Sequence, residues 1–109
     1  MINTDFNFLN RVIVEGQVQS PKLIGDTIYF NIATKNKNNE TVFIKVAFTE
    51  ELAILSFVKI KTTWIVRVEG CLSTKEFVDE DGKKSDITFI DADNITHISD
   101  VTHNFWEVK

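Results

Sequence analysis

Between residues 65 and 77 the chain reads IVRVEGCLSTKEF, and its polarity alternates with the period of two that a β-strand imposes on its faces. Val66, Val68, Gly70 and Leu72 form an apolar or small face, while Arg67, Glu69, Ser73 and Lys75 form a polar one that ends on Phe77. The same oddity recurs twice. In TIYFNIATK, residues 27–35, Ile28, Phe30 and Ile32 read as core, and Tyr29 stands on the opposite face with Thr27, Asn31, Ala33 and Lys35. In TVFIKVAF, residues 41–48, Val42, Ile44, Val46 and Phe48 read as core, and Phe43 stands opposite with Thr41, Lys45 and Ala47. A single exposed Phe is ordinary. Three strands that each offer one aromatic and at least one cation on the polar face match a surface on which bases stack and phosphates are tracked. The alternative is cover by a loop, a helix or another subunit, because apolar residues on a nominally polar face also mark interfaces.

The remaining pattern supplies the other elements. A first strand is predicted over residues 11–19, with Val12, Val14, Gly16 and Val18 inward and Ile13 on the otherwise polar face of Arg11, Glu15, Gln17 and Gln19. A turn through Ser20, Pro21 and Gly25 leads to the second strand, and NKNNE at 36–40 is the loop to the third. Thr49 reads as an N-cap, with Glu50 and Glu51 on the first-turn dipole of a helix EELAILSFVKI over 50–60. After the fourth strand, VDEDGKKS at 78–85 is a hairpin loop whose Asp81-Gly82 pair suits positive φ, and the fifth strand runs from 86 to 98. The expectation is an all-β fold: a five-stranded Greek-key barrel of the oligonucleotide/oligosaccharide-binding (OB) type, with one helix between strands three and four. Residues 1–109 form a single domain, with an N-terminal arm at 1–9 and a short C-terminal extension at 99–109.

Composition narrows the function classes. Cys71 is the one cysteine, which excludes an intrachain disulfide framework and a multi-cysteine metal site. No apolar run approaches the roughly 18 residues of a membrane span. The polar start MINTDFN has no secretion-signal character, so the expected location is cytoplasmic. Net charge is −4, yet residues 1–75 hold nine Lys/Arg against seven Asp/Glu, and residues 76–109 hold three against nine. A contact face can therefore be locally basic, with a modest affinity that falls quickly with salt. No catalytic constellation is visible. His97 and His103 are six apart near the end, and Cys71 sits mid-strand with an apolar flank, so a Cys/His nucleophile pair is unsupported. Asp79, Glu80 and Asp81 lack the register of a calcium loop, and Asp91 and Asp93 alternate along a strand as an exposed face. No enzyme activity, cofactor or metal is expected.

Four segments in order carry a resemblance: NRVIVEGQV (10–18), YFNIAT (29–34), FIKVAFTEELA (43–53) and VEGCLSTKEFVDEDGK (68–83). They resemble the bacterial single-stranded DNA-binding protein (SSB) family, the last segment most specifically. The resemblance implies sequence-independent binding of single-stranded DNA in replication, recombination or repair, with RNA left open, by a homodimer or homotetramer with no membrane partner. It implies that Phe77 and Phe43 stack on bases and that Arg11, Lys45 and Lys75 are basic or polar contacts. Tyr29, Lys35 and Arg67 join them from the polar faces.

The departures are equally specific. The loop NKNNE is too short to carry the stacking aromatic the family often has there, and Thr49 stands where an aromatic commonly ends strand three. Thr62-Thr63 replaces a Lys-Gly turn. The long tail with an acidic tip has no counterpart after HNFWEVK, so no recruitment of replication enzymes through it is expected. The implied member is short, tail-less and divergent, of phage, plasmid or primosomal type. The competing reading is an OB-fold protein-interaction module that has lost DNA binding, which the acidic balance and the missing aromatics favour.

Overall fold

A computed structural model describes residues 8–51, 57 and 60–100. They form β1 (Val12–Ile24), β2 (Thr27–Lys35), β3 (Thr41–Thr49), β4 (Trp64–Val78) and β5 (Lys84–Asp100). The apolar face of each alternating segment turns into one core of Val18, Ile28, Phe30, Ile32, Val46, Val66, Val68 and Ile90. Most are β-branched, the shape that packs well on a pleated sheet. The strands close into a barrel in the order β1-β2-β3-β5-β4, with β3 and β5 parallel and the other pairs antiparallel. This is the five-stranded OB topology expected from the element order.

In β1 and β4, glycines stand at two points where the backbone of a neighbouring strand comes too close for a Cβ. Gly16 lies where β1, paired with β4 from Val12, begins to pair with β2 at Gln17. A Cβ there would run into the carbonyl oxygen of Ala33. Gly70 adjoins the irregularity that lets Asp93 bulge from β5, since Glu69 pairs with Asn94 and Gly70 with Ala92. A Cβ at Gly70 would meet the Asp91 carbonyl oxygen.

Several expectations are corrected. The turn expected through Ser20, Pro21 and Gly25 is instead a bulge within β1, where the register with β2 shifts between Gln19 and Lys22 and Ser20 takes a φ of 53°. Pro21 has no N–H to lose from the ladder, so a bulge tolerates it. The turn proper is Gly25-Asp26, with Gly25 at a φ of 62°. The bulge inverts the alternation: Val18 points inward before it, whereas Leu23 packs on the core after it. Lys22 and Ile24 are thereby exposed.

Gln17, expected on the polar face, is fully buried. Its amide donates to the Thr63 carbonyl at 3.5 Å and accepts from Gln19 Nε2 at 3.0 Å, while the Thr63 N–H bonds the Val18 carbonyl. The turn before β4 thus covers the outer face of β1 at this point.

At the tip between β4 and β5, Asp79 Oδ1 accepts from the N–H groups of Asp81 and Lys83, and Gly82 alone takes a positive φ, of 78°. Asp81 does not share it. β5 is longer than expected at both ends, taking in Lys84 and Ser85 before it and Ser99 and Asp100 after it. Fifteen cross-strand pairs join it to β4. Leu72, expected inward, is exposed, because the hairpin of β4 and β5 extends past the barrel core. Asn10 fastens the chain entering β1 to this hairpin, donating to the Leu72 carbonyl and accepting from its N–H, both at 2.9 Å.

The helix expected over 50–60 falls mostly on residues outside those described, and the described residues contain no helical element. Thr49, expected as its cap, is the last residue of β3, with its hydroxyl 2.7 Å from that of Thr27. The arm residues before Phe8 and the extension beyond Asp100 likewise lie outside the described residues.

Candidate nucleic-acid interface

One open groove, of about 740 Å³, runs over the outer surface between the β1-β2-β3 sheet and the β4–β5 hairpin. The outward positions of the strands build it. β2 contributes Tyr29 and Asn31, β3 contributes Lys45 and Ala47, and β1 contributes Lys22 and Ile24 from beyond its bulge. The hairpin supplies Lys75 and Phe77 from β4, with Ile87, Phe89 and Asp91 from β5. Register explains the grouping: Asn31 pairs with Lys45, Tyr29 with Ala47 and Lys75 with Ile87.

The groove therefore brings together Tyr29, Lys45, Lys75 and Phe77 of the residues singled out from sequence. Phe77 is 46 % exposed, and Tyr29 is half-buried. Such rings offer faces to a flat ligand without needing to leave a packed core. Phe43 lies outside the groove, but on the same face of β3 as Lys45, about 7 Å further along the strand at two residues of rise. At 64 % exposure it extends the surface rather than lining the cavity.

The two arginines stand elsewhere. Arg67 Nε donates to Glu15 Oε2 at 2.7 Å across β4 and β1. Arg11 donates to Asp93 at 2.9 Å and to Glu69 at 3.3 Å, and Glu69 also accepts from Asn94. The hydrogen bond and charge of Asp93, with a smaller push from Glu69, raise the Arg11 pKa above its ordinary value. Together the five groups carry two positive and three negative charges. A phosphate gains nothing from approaching a cluster that is net negative. Lys35, at the end of β2, donates from Nζ to the Thr41 hydroxyl at 3.0 Å and also lies outside the groove.

Lys22, Lys45 and Lys75 differ from the arginines in making no ion pair with any described residue. Their charge is available to an anion.

Sequence reading missed Phe89, Ile87, Lys22 and Ile24. The first two had a signal: in ITFIDAD the core residues Ile90 and Ala92 leave Ile87, Phe89 and Asp91 on the outer face. Lys22 and Ile24 had none, since the bulge that exposes them breaks the alternation from which their orientation would be read. Trp64 stacks on His97 at a ring-centroid distance of 4.0 Å, beside a separate cavity lined by Phe48, Ile60 and Ile95, and does not border the groove.

An OB barrel with an aromatic and basic groove defines a class of fold, and solved structures agree with it. The single-stranded DNA-binding protein of Plasmodium falciparum, in complex with single-stranded DNA, is similar with a TM-score of 0.70 and 18 % identity. The match covers 86 % of this chain and 98 % of that one. The mitochondrial single-stranded DNA-binding protein of S. cerevisiae is similar with a TM-score of 0.66 and 14 % identity, over 87 % of this chain and 100 % of that one. At these identities the likeness is one of fold. No protein-family model matches the chain, and no curated protein matches it.

Proposed function

We propose that this protein binds single-stranded DNA without reading an extended sequence, stacking bases on Phe77, Phe89 and Tyr29 while Lys22, Lys45 and Lys75 meet the phosphates. The observation that carries this reading is the convergence on one open groove, from all five strands, of three rings and three lysines that make no ion pair with a described residue. Base faces stack on aromatic rings whatever the base, and cations alongside follow the backbone. Phe43 extends the track past Lys45. The likeness in fold to two proteins named for single-stranded DNA binding supports the same reading. A role in replication, recombination or repair goes with it, because those processes expose single strands.

Arg11, Arg67 and Lys35 are left out of the contact set, since the arginines are engaged with carboxylates and Lys35 points its amine at Thr41. Fluorescence anisotropy of a labelled mixed-sequence single strand at low salt tests the proposal, with the same sequence as a duplex for comparison. Saturable binding that prefers the single strand is expected. A double substitution Phe77→Ala with Phe89→Ala should remove most of it, and undiminished binding by that folded variant would sink the stacking role.

A further inference from the structure

The row of outward residues that crosses the groove floor carries a second kind of recognition. Lys22 pairs with Tyr29, Tyr29 with Ala47, and Ala47 with Asp91, so the four lie side by side on β1, β2, β3 and β5. All four line the groove. Adjacent strands are spaced by about 4.8 Å, which sets the backbones beneath Tyr29 and Asp91 about 9.6 Å apart. Between them Ala47 raises only a methyl group. The result is a notch with an aromatic ring on one side, a carboxylate on the other and a low floor.

Asp91 is the feature that phosphate binding does not explain. Its carboxylate makes no hydrogen bond or ion pair with any described residue, whereas Asp93, two positions on, is held by Arg11. An ionised carboxylate repels phosphate and can only accept hydrogen bonds. A base laid on the Tyr29 ring and reaching over the low Ala47 would meet it edge-on. At the outer corner of that edge cytosine presents its N4 amino donor, where thymine and uracil present the O4 acceptor, which a carboxylate repels; their N3–H donor lies one atom further along the edge.

We infer that Asp91 makes the groove selective among pyrimidines, taking cytosine in the notch between Tyr29 and Asp91 in preference to thymine or uracil. The inference rests on the proposal that this groove binds single-stranded DNA. Stacking on Tyr29 is nearly indifferent to the choice, so the discrimination comes from the amino group that Asp91 accepts.

The test compares the affinities of the whole chain for oligo(dC) and oligo(dU) of equal length, by anisotropy at low salt and mildly alkaline pH. The uracil strand removes the thymine methyl group as a variable. Oligo(dC) is expected to bind about three- to tenfold more tightly, the factor of one net hydrogen bond. In Asp91→Asn the side-chain amide both donates and accepts, so it serves either base and the ratio should fall close to one. Tight but equal binding of both strands by the unaltered protein would overturn the inference and leave the proposed function standing. A preference for oligo(dC) that survives Asp91→Asn would overturn the assignment to this residue. Failure of both strands to bind would overturn the proposed function itself, and the inference with it.

Discussion

Two sets of basic residues stand on this surface, and their carboxylate neighbours separate them. Lys22, Lys45 and Lys75 face the groove with no ion pair to a described residue, while Arg11 and Arg67 are engaged with Glu15, Glu69 and Asp93. Exposed ion pairs contribute only about 0–1 kcal/mol to stability, so Arg67→Ala should leave the fold intact. It should also leave single-strand affinity unchanged within about twofold, by anisotropy, because Glu15 already occupies the guanidinium. Lys75→Ala should weaken binding and lower the slope of log affinity against log salt by about 0.7, the contribution of one phosphate on a single strand. The rings act differently. Phe77→Ala and Phe89→Ala should each weaken binding roughly tenfold at any salt concentration, since stacking of one base contributes about 1–3 kcal/mol. Phe43→Ala is expected to matter on strands long enough to leave the groove, and little on short ones. Trp64 is a poor reporter of all this, being stacked on His97 away from the groove.

At the scale of elements, the groove exists because β1, β4 and β5 depart from regular alternation. The bulge at Ser20-Pro21 swings Lys22 and Ile24 to the outer face, and the bulge at Asp93 accompanies the bend at Gly70. That bend sets the direction of the hairpin that carries Lys75, Phe77 and Phe89. Gly70→Ala would force a Cβ against the Asp91 carbonyl oxygen, a backbone atom that cannot swing aside as a side chain would. Destabilisation by about 1–3 kcal/mol or more is expected, as for other overpacked positions, measured by urea denaturation. A Gly70→Ala protein with an unchanged midpoint would mean that the strand relaxes without cost. The substitution should also weaken single-strand binding more than its effect on folding alone, because Asp91 and the hairpin move relative to β3.

For the molecule as a whole, the expected salt dependence follows from its three groove lysines. At about 0.7 per neutralised phosphate, log affinity should fall against log salt with a slope of about −2. A slope beyond about −6 would require a basic surface outside this groove. Self-association is the second expectation at this scale. The pairs between β1 and β2 begin at Gln17, so the preceding residues of β1 have β4 as their strand partner on one side and no strand among the described residues on the other. Ile13, 60 % exposed, projects from that stretch. An open strand edge with an apolar residue favours pairing with another chain, and a second groove on the same strand of DNA adds avidity. Light scattering at micromolar concentration should give a dimer or a tetramer, and a mass near 12.5 kDa would refute it.

The alternation of Ile28, Phe30 and Ile32, of Ile44 and Val46, and of Val66 and Val68 was enough to place β2, β3 and β4 and to point their apolar faces inward. A period of two leaves a half-buried strand only one way to sit. The same parity placed Tyr29, Lys45, Lys75 and Phe77 on the outer surface. The parity of Ile90 and Ala92 in β5 puts Phe89 there too. Parity is a local property, however, and it has no information on what covers an outer face or where a strand breaks step. Gln17 is polar by sequence and buried in the structure, because a turn from elsewhere in the chain closes over it. Lys22 reads as part of a turn and becomes a groove residue, because a bulge inverts the strand after Ser20. Arg11 and Arg67 read as free cations and are claimed by carboxylates 58 and 52 residues away along the chain. Sequence thus determined where the centres of the five strands lie and which face of β2, β3 and β4 is apolar. Only the tertiary structure decided which outer residues share a groove and which charges remain available, because both depend on neighbours that closure of the barrel brings together.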